Sequence, residues 1–258
     1  MKISGKIIVI TGASSGIGKR LKEYFQRENT VISLSRTAKS PDIECDLCDE
    51  RAIDRAANRI IEKFGKVDIL INNAGYGLYG AAELLTDEQI EKQFSANLTG
   101  AILLTKKLLP VMNSGSKIIN VSSACALFPL PFRTMYCASK AGLSMFSNGL
   151  KMELAPYGID VTAICPGDVK TTFTKNRVKN YATNDRYGDR ISVADGKISA
   201  RENKRMPEDY AVGKIIKIVE KGKYKPMYIV GGKYKLLYFL YRVTPHSLFM
   251  SVTRKIFS

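Results

Sequence analysis

The protein has 258 residues, 45% of them hydrophobic, with 20 glycines and 9 prolines; this ordinary globular composition suffices for one large α/β domain or two small ones. No stretch approaches the roughly 20 apolar residues of a membrane span, and Met1–Lys6 runs straight into Ile7–Ile10 without a signal peptide's apolar region or cleavage site, so a soluble, cytoplasmic protein is expected. The formal net charge of +16 attracts acidic partners at long range without choosing among nucleotide phosphates, anionic lipid and nucleic acid.

Strand-like apolar runs alternate with helix-length segments from the start: a strand over Lys6–Ile10, a helix over Gly16–Glu28, a strand over Thr30–Leu34, a helix over Arg51–Phe64 and a strand over Asp68–Ile71. Such alternation predicts βαβ units and a parallel sheet. A helix opens at Thr86-Asp87-Glu88-Gln89, whose spacing fits a capping box, and runs towards Pro110; Lys117–Val121 is the next strand. Tyr136–Tyr157 reads as a long helix stopped by Gly158, and Asp160–Cys165 as another buried strand. After Pro166-Gly167 the texture changes. Lys170–Arg205 carries ten Lys/Arg against four Asp/Glu, the pattern of a mobile lid or a solvated surface rather than core. Pro207-Glu208-Asp209 starts a helix to about Glu220, and Met227–Val230 is the last strand, ended by Gly231-Gly232. No repeat or linker interrupts the chain. The expected fold is therefore α/β, a single-domain doubly wound parallel sheet flanked by helices over residues 1-232, with a lid at about 171-206 and a basic, aromatic C-terminal extension over 233-258.

Thr11-Gly12-Ala13-Ser14-Ser15-Gly16-Ile17-Gly18 lies between the first strand and the first helix, the setting a dinucleotide phosphate loop requires. Gly12 permits the tight turn, Gly16 lets backbone approach a pyrophosphate, and Gly18 lets the helix pack on the sheet, so that the loop from Ser14 and Ser15 through Ile17 turns its N–H groups to the phosphates. About 20 residues on, an NAD-specific site presents an acid to the ribose 2′-OH. This chain has Leu34-Ser35-Arg36-Thr37 instead, so Arg36 is placed to meet a 2′-phosphate and NADP(H) is the expected cofactor. Stacking of Arg36 on an adenine, with both cofactors accepted, is the alternative.

Reducing a ketone by hydride takes a proton donor at the carbonyl oxygen, a second donor to polarise it and a way to resupply the proton. Tyr136 and Lys140 share one helical face, and a nearby cation is expected to lower the phenol pKa from roughly 10 towards working pH. The pair alone is common; its place after Ile118–Ser123, a strand ending in serines, gives it weight.

Together, T-G-x-x-x-G-x-G at 11–18, Asn72-Asn73-Ala74-Gly75, Tyr136-x-x-x-Lys140 and Pro166-Gly167-x-Val169-x-Thr171 resemble, in order and context, the motifs of the short-chain dehydrogenases/reductases. The resemblance spans residues 5 to 171 and implies a Rossmann-like fold and an NADP(H)-dependent carbonyl/alcohol oxidoreductase. It implies that Ser123, thirteen positions before Tyr136, hydrogen-bonds the substrate carbonyl, with Ser122 the alternative by one register. It further implies that Asn97 holds a water for the proton relay and that Lys140 also binds the nicotinamide ribose. Asp46 and Leu47 would lie at the adenine, Asn73, Ala74, Gly75, Pro166 and Gly167 along the cofactor, and Val169 and Thr171 at the nicotinamide amide.

In such folds the pocket closes between Thr171–Met206 and Ala124–Phe132, and Leu127, Phe128, Leu130, Pro131 and Phe132 favour a lipophilic ketone or secondary alcohol, steroid- or lipid-like. Reduction of a carrier- or CoA-linked 3-oxoacyl group is the enzymatic alternative, and a catalytically idle NADP(H)-binding regulatory module the non-enzymatic one. Lys221–Ser258 holds eight Lys/Arg, eight aromatic residues and no acid; it either lies peripherally on an anionic membrane surface or packs on the body or on another subunit and closes the pocket. The resemblance also implies a homodimer or homotetramer. No recognition motif accompanies the charge, so no nucleic-acid partner is expected. The five scattered cysteines suit a reducing compartment, and Cys45-x-x-Cys48, with no second pair and His246 far away, gives no reason to expect a metal.

Overall fold

The structure is a computed structural model and describes residues 2–200 and 202–257. In chain order its elements are β1 (Ile7–Thr11), α1 (Gly16–Phe25), β2 (Thr30–Ser35), β3 (Ile43–Glu44), α2 (Glu50–Phe64), β4 (Ile69–Asn72), β5 (Leu78–Tyr79), α3 (Asp87–Phe94), α4 (Gly100–Leu108), β6 (Lys117–Val121), α5 (Thr134–Leu154), β7 (Asp160–Pro166), α6 (Thr172–Lys175), β8 (Val178–Lys179), α7 (Arg190–Ser199), α8 (Glu208–Val219), β9 (Met227–Val230), α9 (Gly232–Val243) and α10 (His246–Phe257). The sheet is parallel throughout, in the order β3-β2-β1-β4-β6-β7-β9. From β1 the chain winds outward on one side through β2, then returns to pair β4 on the other. Such a reversal leaves a crevice at the carboxyl ends of the strands.

The strands carry apolar side chains on both faces, so helices must cover both. On one face Val9, Leu70, Ile118 and Val161 pack with Ile53, Ala56 and Ile60 of α2 and Leu104 and Leu108 of α4. On the other, Ile8, Ile10, Ile71, Ile119 and Ile164 meet Leu21 and Phe25 of α1 and Ala211, Val212 and Ile215 of α8. Each such fully buried aliphatic or aromatic side chain contributes about 1.5–3 kcal/mol.

Two departures from the sequence reading, and one choice between its alternatives, bear on the site. The helix expected to run unbroken from Thr86 does start with the capping box, but α3 and α4 are separated by a π-helical turn over Ser95–Thr99. The turn ends where the backbone comes close to the loop before α2: a Cβ on Gly100 would stand 2.4 Å from the Leu47 carbonyl oxygen. Such turns concentrate at functional sites. Second, the segment after Pro166-Gly167 is not merely solvated surface: Ile191, Ala194 and Ile198 of α7 build a small core with Tyr79, Ala81 and Phe132. Charge content hid an apolar stripe at helical spacing. Third, the C-terminal extension packs on the body, Tyr234, Leu237, Tyr238 and Tyr241 of α9 joining Phe128, Leu130 and Phe249.

Candidate active site

A cavity of about 940 Å³ opens in the crevice. Every catalytic and cofactor residue singled out from the sequence lines it except Gly18 and Asn97.

At one end, Thr11 closes β1 with a buried hydroxyl that accepts hydrogen bonds from the N–H groups of Asn73 and Ala74, both at 3.0 Å. The Asn73 amide donates in return to the carbonyls of Thr11 at 3.0 Å and Gly12 at 3.2 Å. Asn73 therefore ties the glycine loop to the end of β4. Gly12 has φ 69°, and a Cβ there would stand 2.8 Å from the Ala74 Cα; at Gly18 it would meet the Gly12 carbonyl oxygen at 2.4 Å. Only glycines let loop, helix and strand come this close. Helix α1 opens behind Ser15 with no side-chain cap and no acid in its first turn, so the first amides and the positive end of the dipole are left for an external anion. This donor set fits a dinucleotide pyrophosphate. Arg36 is exposed in the turn after β2, and its charge acts on Cys48 and Tyr76 across the cavity.

At the other end, β6 delivers the two serines. The Ser122 hydroxyl donates to the Lys140 carbonyl at 2.8 Å and accepts from Ser144 at 2.8 Å. Ser123 accepts from the Cys125 N–H at 3.1 Å, keeping its own proton for a partner in the cavity, and stands beside the Tyr136 phenol. Tyr136 and Lys140 lie one turn apart on α5. Lys140 is 3% exposed and donates from Nζ to the Val121 carbonyl at 2.9 Å; burial pushes its ammonium down to about 8.

The phenol departs from expectation. Burial first, then the Cys125 thiol, pushes the Tyr136 pKa up, while Ser123 works in the opposite direction. Desolvation disfavours the phenolate, and Lys140 directs its ammonium at a carbonyl.

Asn97 sits fully buried in the π-helical turn. Its amide donates to the Tyr76 carbonyl at 3.0 Å and Ser139 Oγ at 3.2 Å, and its Oδ1 accepts from the Tyr76 N–H at 3.0 Å. It thus fixes the turn after β4. A Cβ on Gly75 would lie 2.9 Å from Asn97 Oδ1 and 3.2 Å from Lys140 Nζ.

The apolar wall is narrower than expected. Phe128 and Leu130 line the cavity, but Leu127 packs into the core beneath α9, and Phe132, at φ 57°, turns to Tyr79 with ring centroids 6.0 Å apart. Sequence reasoning missed Arg133, Phe173, Arg177, Tyr234 and Leu237, which also line the cavity. Arg133 was detectable one helical turn before Tyr136. Phe173 stands with its ring centroid 5.9 Å from that of Tyr136, and α9 arrives from far along the chain, so no local pattern announces either.

A family model described as short chain dehydrogenase matches residues 6–182. The chain is 35% identical over 194 residues to a 3-ketodihydrosphingosine reductase of Bacteroides thetaiotaomicron, covering 71% of this chain and 72% of that protein. Among solved structures it is similar to a short-chain dehydrogenase from Streptomyces avermitilis, with TM-score 0.81, 26% identity and coverage of 98% and 96% of the two chains. A 3-ketoacyl-(acyl-carrier-protein) reductase from Brucella melitensis complexed with NADH matches with TM-score 0.73 and 26% identity, over 90% of this chain and 99% of that one.

Proposed function

The chain belongs to the short-chain dehydrogenases/reductases, and on that premise we propose that this oxidoreductase uses NADP(H) to interconvert a lipophilic ketone and a secondary alcohol, steroid- or lipid-like. The observation that carries the reading is the meeting in one cavity of Ser123, Tyr136 and Lys140 with the apolar side chains of Phe128, Leu130, Phe173 and Leu237.

In this reading Ser14, Ser15, Gly16 and Ile17 hold the pyrophosphate, Gly12 and Gly18 shape that loop, and Arg36 meets the 2′-phosphate. Asp46 and Leu47 flank the adenine; Asn73, Ala74, Gly75, Pro166, Gly167, Val169 and Thr171 enclose the nicotinamide half. The bound dinucleotide supplies the hydride. Ser123 donates a hydrogen bond to the substrate carbonyl, and Tyr136, kept protonated by burial, delivers its proton to that oxygen. Lys140 stabilises the phenolate left behind, and the remaining lone pair of Asn97 Oδ1 fits a water that returns the proton.

Reduction of a 3-oxoacyl group is the second reading, supported by Lys204, Arg205 and Lys233 on the cavity wall. The intact trio argues against an idle module. Exposed Met145 and Met152, seven positions apart on α5, support self-association as a homodimer or homotetramer. Leu236, Phe239, Leu240 and Val243 form an exposed stripe on α9, with no acid between Lys221 and Ser258; this supports peripheral contact with an anionic membrane surface of a cytoplasmic enzyme. No described helix is long and apolar enough to cross a membrane.

The test is Tyr136→Phe. NADPH oxidation against a panel of lipid, steroid and acyl ketones should fall at least about a hundredfold with nucleotide affinity unchanged; turnover equal to wild type would remove Tyr136 from the chemistry.

A further inference from the structure

Among the described residues, eight cationic side chains line the cavity (Arg36, Lys92, Arg133, Lys140, Arg177, Lys204, Arg205 and Lys233) against three acids, Asp46, Glu88 and Asp168. Three have an evident reason to be there: Arg36 stands at the nucleotide end, Lys140 beside Tyr136, and Arg205 pairs with Asp168 at 3.2 Å. Lys92, Lys204 and Lys233 are exposed. Arg133 and Arg177 are half-buried, yet make no ion pair or side-chain hydrogen bond with any described residue.

Their positions are informative. Arg133 precedes α5 by one residue and Tyr136 by three, and its Nε is fully buried without a partner. Arg177 lies one turn beyond Phe173, whose ring faces that of Tyr136, and a Cβ on Gly77 would touch its Nε at 3.3 Å. The two arginines are near enough that, after burial, the Arg133 charge is what most depresses Arg177. Asp168, the carboxylate whose charge acts on Arg177, is held by Arg205. Partly desolvated like charges facing one another are unfavourable by themselves, and a guanidinium pair is the usual means of gripping a planar or tetrahedral oxyanion. The cofactor pyrophosphate does not account for them: Gly16, at the start of α1, faces Thr171 and Thr172, whereas the arginines flank Tyr136.

We infer that Arg133 and Arg177 form an oxyanion-binding subsite beside Tyr136, so that the substrate is an amphiphilic ketone carrying a carboxylate or phosphate near its carbonyl. The inference rests on the ketone-reductase reading for the word substrate; the anion site itself does not. Phe128, Leu130, Phe173 and Leu237 take the hydrocarbon part, and the two guanidinium groups take the charge.

Binding is measured by calorimetry on the full chain with NADPH present, using octanoate, octyl phosphate and methyl octanoate as probes. The anions should bind at least about tenfold more tightly than the neutral ester, and Arg133→Gln and Arg177→Gln should each reduce that preference about tenfold or more while leaving nucleotide affinity within about twofold. Arg177→Lys should retain part of it. Because each glutamine removes an uncompensated charge, neither variant should melt below wild type, which separates loss of the site from loss of the fold. Preference for octyl phosphate alone identifies a phosphate site, and preference for both anions identifies a general oxyanion site. Equal wild-type affinity for ester and anions would overturn the inference, as would variants that weaken nucleotide binding and leave the anion preference intact. Either result leaves the Tyr136→Phe test of the reductase reading standing.

Discussion

Replacing Lys140 by methionine is expected to make the protein more stable while abolishing turnover. Its ammonium is buried with one carbonyl partner and no carboxylate, and burial moves its pKa from 10.5 to about 8. A lysine with a lower pKa in the folded than in the unfolded chain destabilises the fold fully below the folded value; the penalty declines between the two values and is gone above the unfolded one. At ~1.4 kcal/mol per pH unit the penalty at pH 7 is about 3 kcal/mol. Methionine keeps the volume but forfeits the bond to Val121, about 1 kcal/mol, leaving a net gain of about 2 kcal/mol, or about 4–8 °C in melting temperature for a chain of this size. Thermal unfolding of both proteins without nucleotide, at pH 7 and about pH 10, measures it. The difference should shrink towards zero at the higher pH, where wild-type Lys140 is neutral in the fold. Tyr79 and Tyr224 are pushed above their ordinary 10 by burial and shift stability the other way above that pH, but they are common to both proteins and cancel. A variant less stable at pH 7, or a gap that ignores pH, would refute the reasoning.

Three further outcomes are expected. Arg36→Ala should weaken NADPH binding about tenfold or more and NADH binding little, measured by fluorescence titration; equal losses would take Arg36 away from the 2′-phosphate. Gly18→Ala forces a methyl within 2.4 Å of the Gly12 carbonyl oxygen, so it should cost about 1–3 kcal/mol in denaturant unfolding and weaken nucleotide binding; an unaffected variant would show that the loop tolerates the shift. Cys125 receives the Cys137 S–H and lies near Arg133, which draws its thiol below the ordinary value, whereas the more exposed Cys48 is pushed up by burial. Iodoacetamide at pH 7 should therefore modify Cys125 before Cys48 by mass spectrometry, and modification of Cys48 first would contradict this.

Much of the site was legible because its parts are local. Gly12, Gly16 and Gly18 sit between a strand and a helix, and Tyr136 and Lys140 one turn apart on a helix, so period and spacing suffice to find them. What the sequence concealed was competition for hydrogen bonds. Asn73, Asn97 and Ser122 read as candidates for a cavity, and each also donates from its side chain to a neighbouring protein group; partner choice depends on which groups stand nearby. The phenol was misjudged for a related reason, since helical spacing shows that Lys140 is near Tyr136 but not how deeply both are buried.

The sequence by itself determined the α/β class, the main strands of the seven-stranded sheet, the glycine loop after β1 and the Tyr136–Lys140 face, all properties of a few consecutive residues. Tertiary structure alone decided that α7 hides an apolar stripe in a charged segment, that α9 lines the cavity with Tyr234 and Leu237, and that Arg133 and Arg177 line it together with Tyr136. These depend on long-range packing and desolvation, which arise only when segments distant in the chain exclude water together.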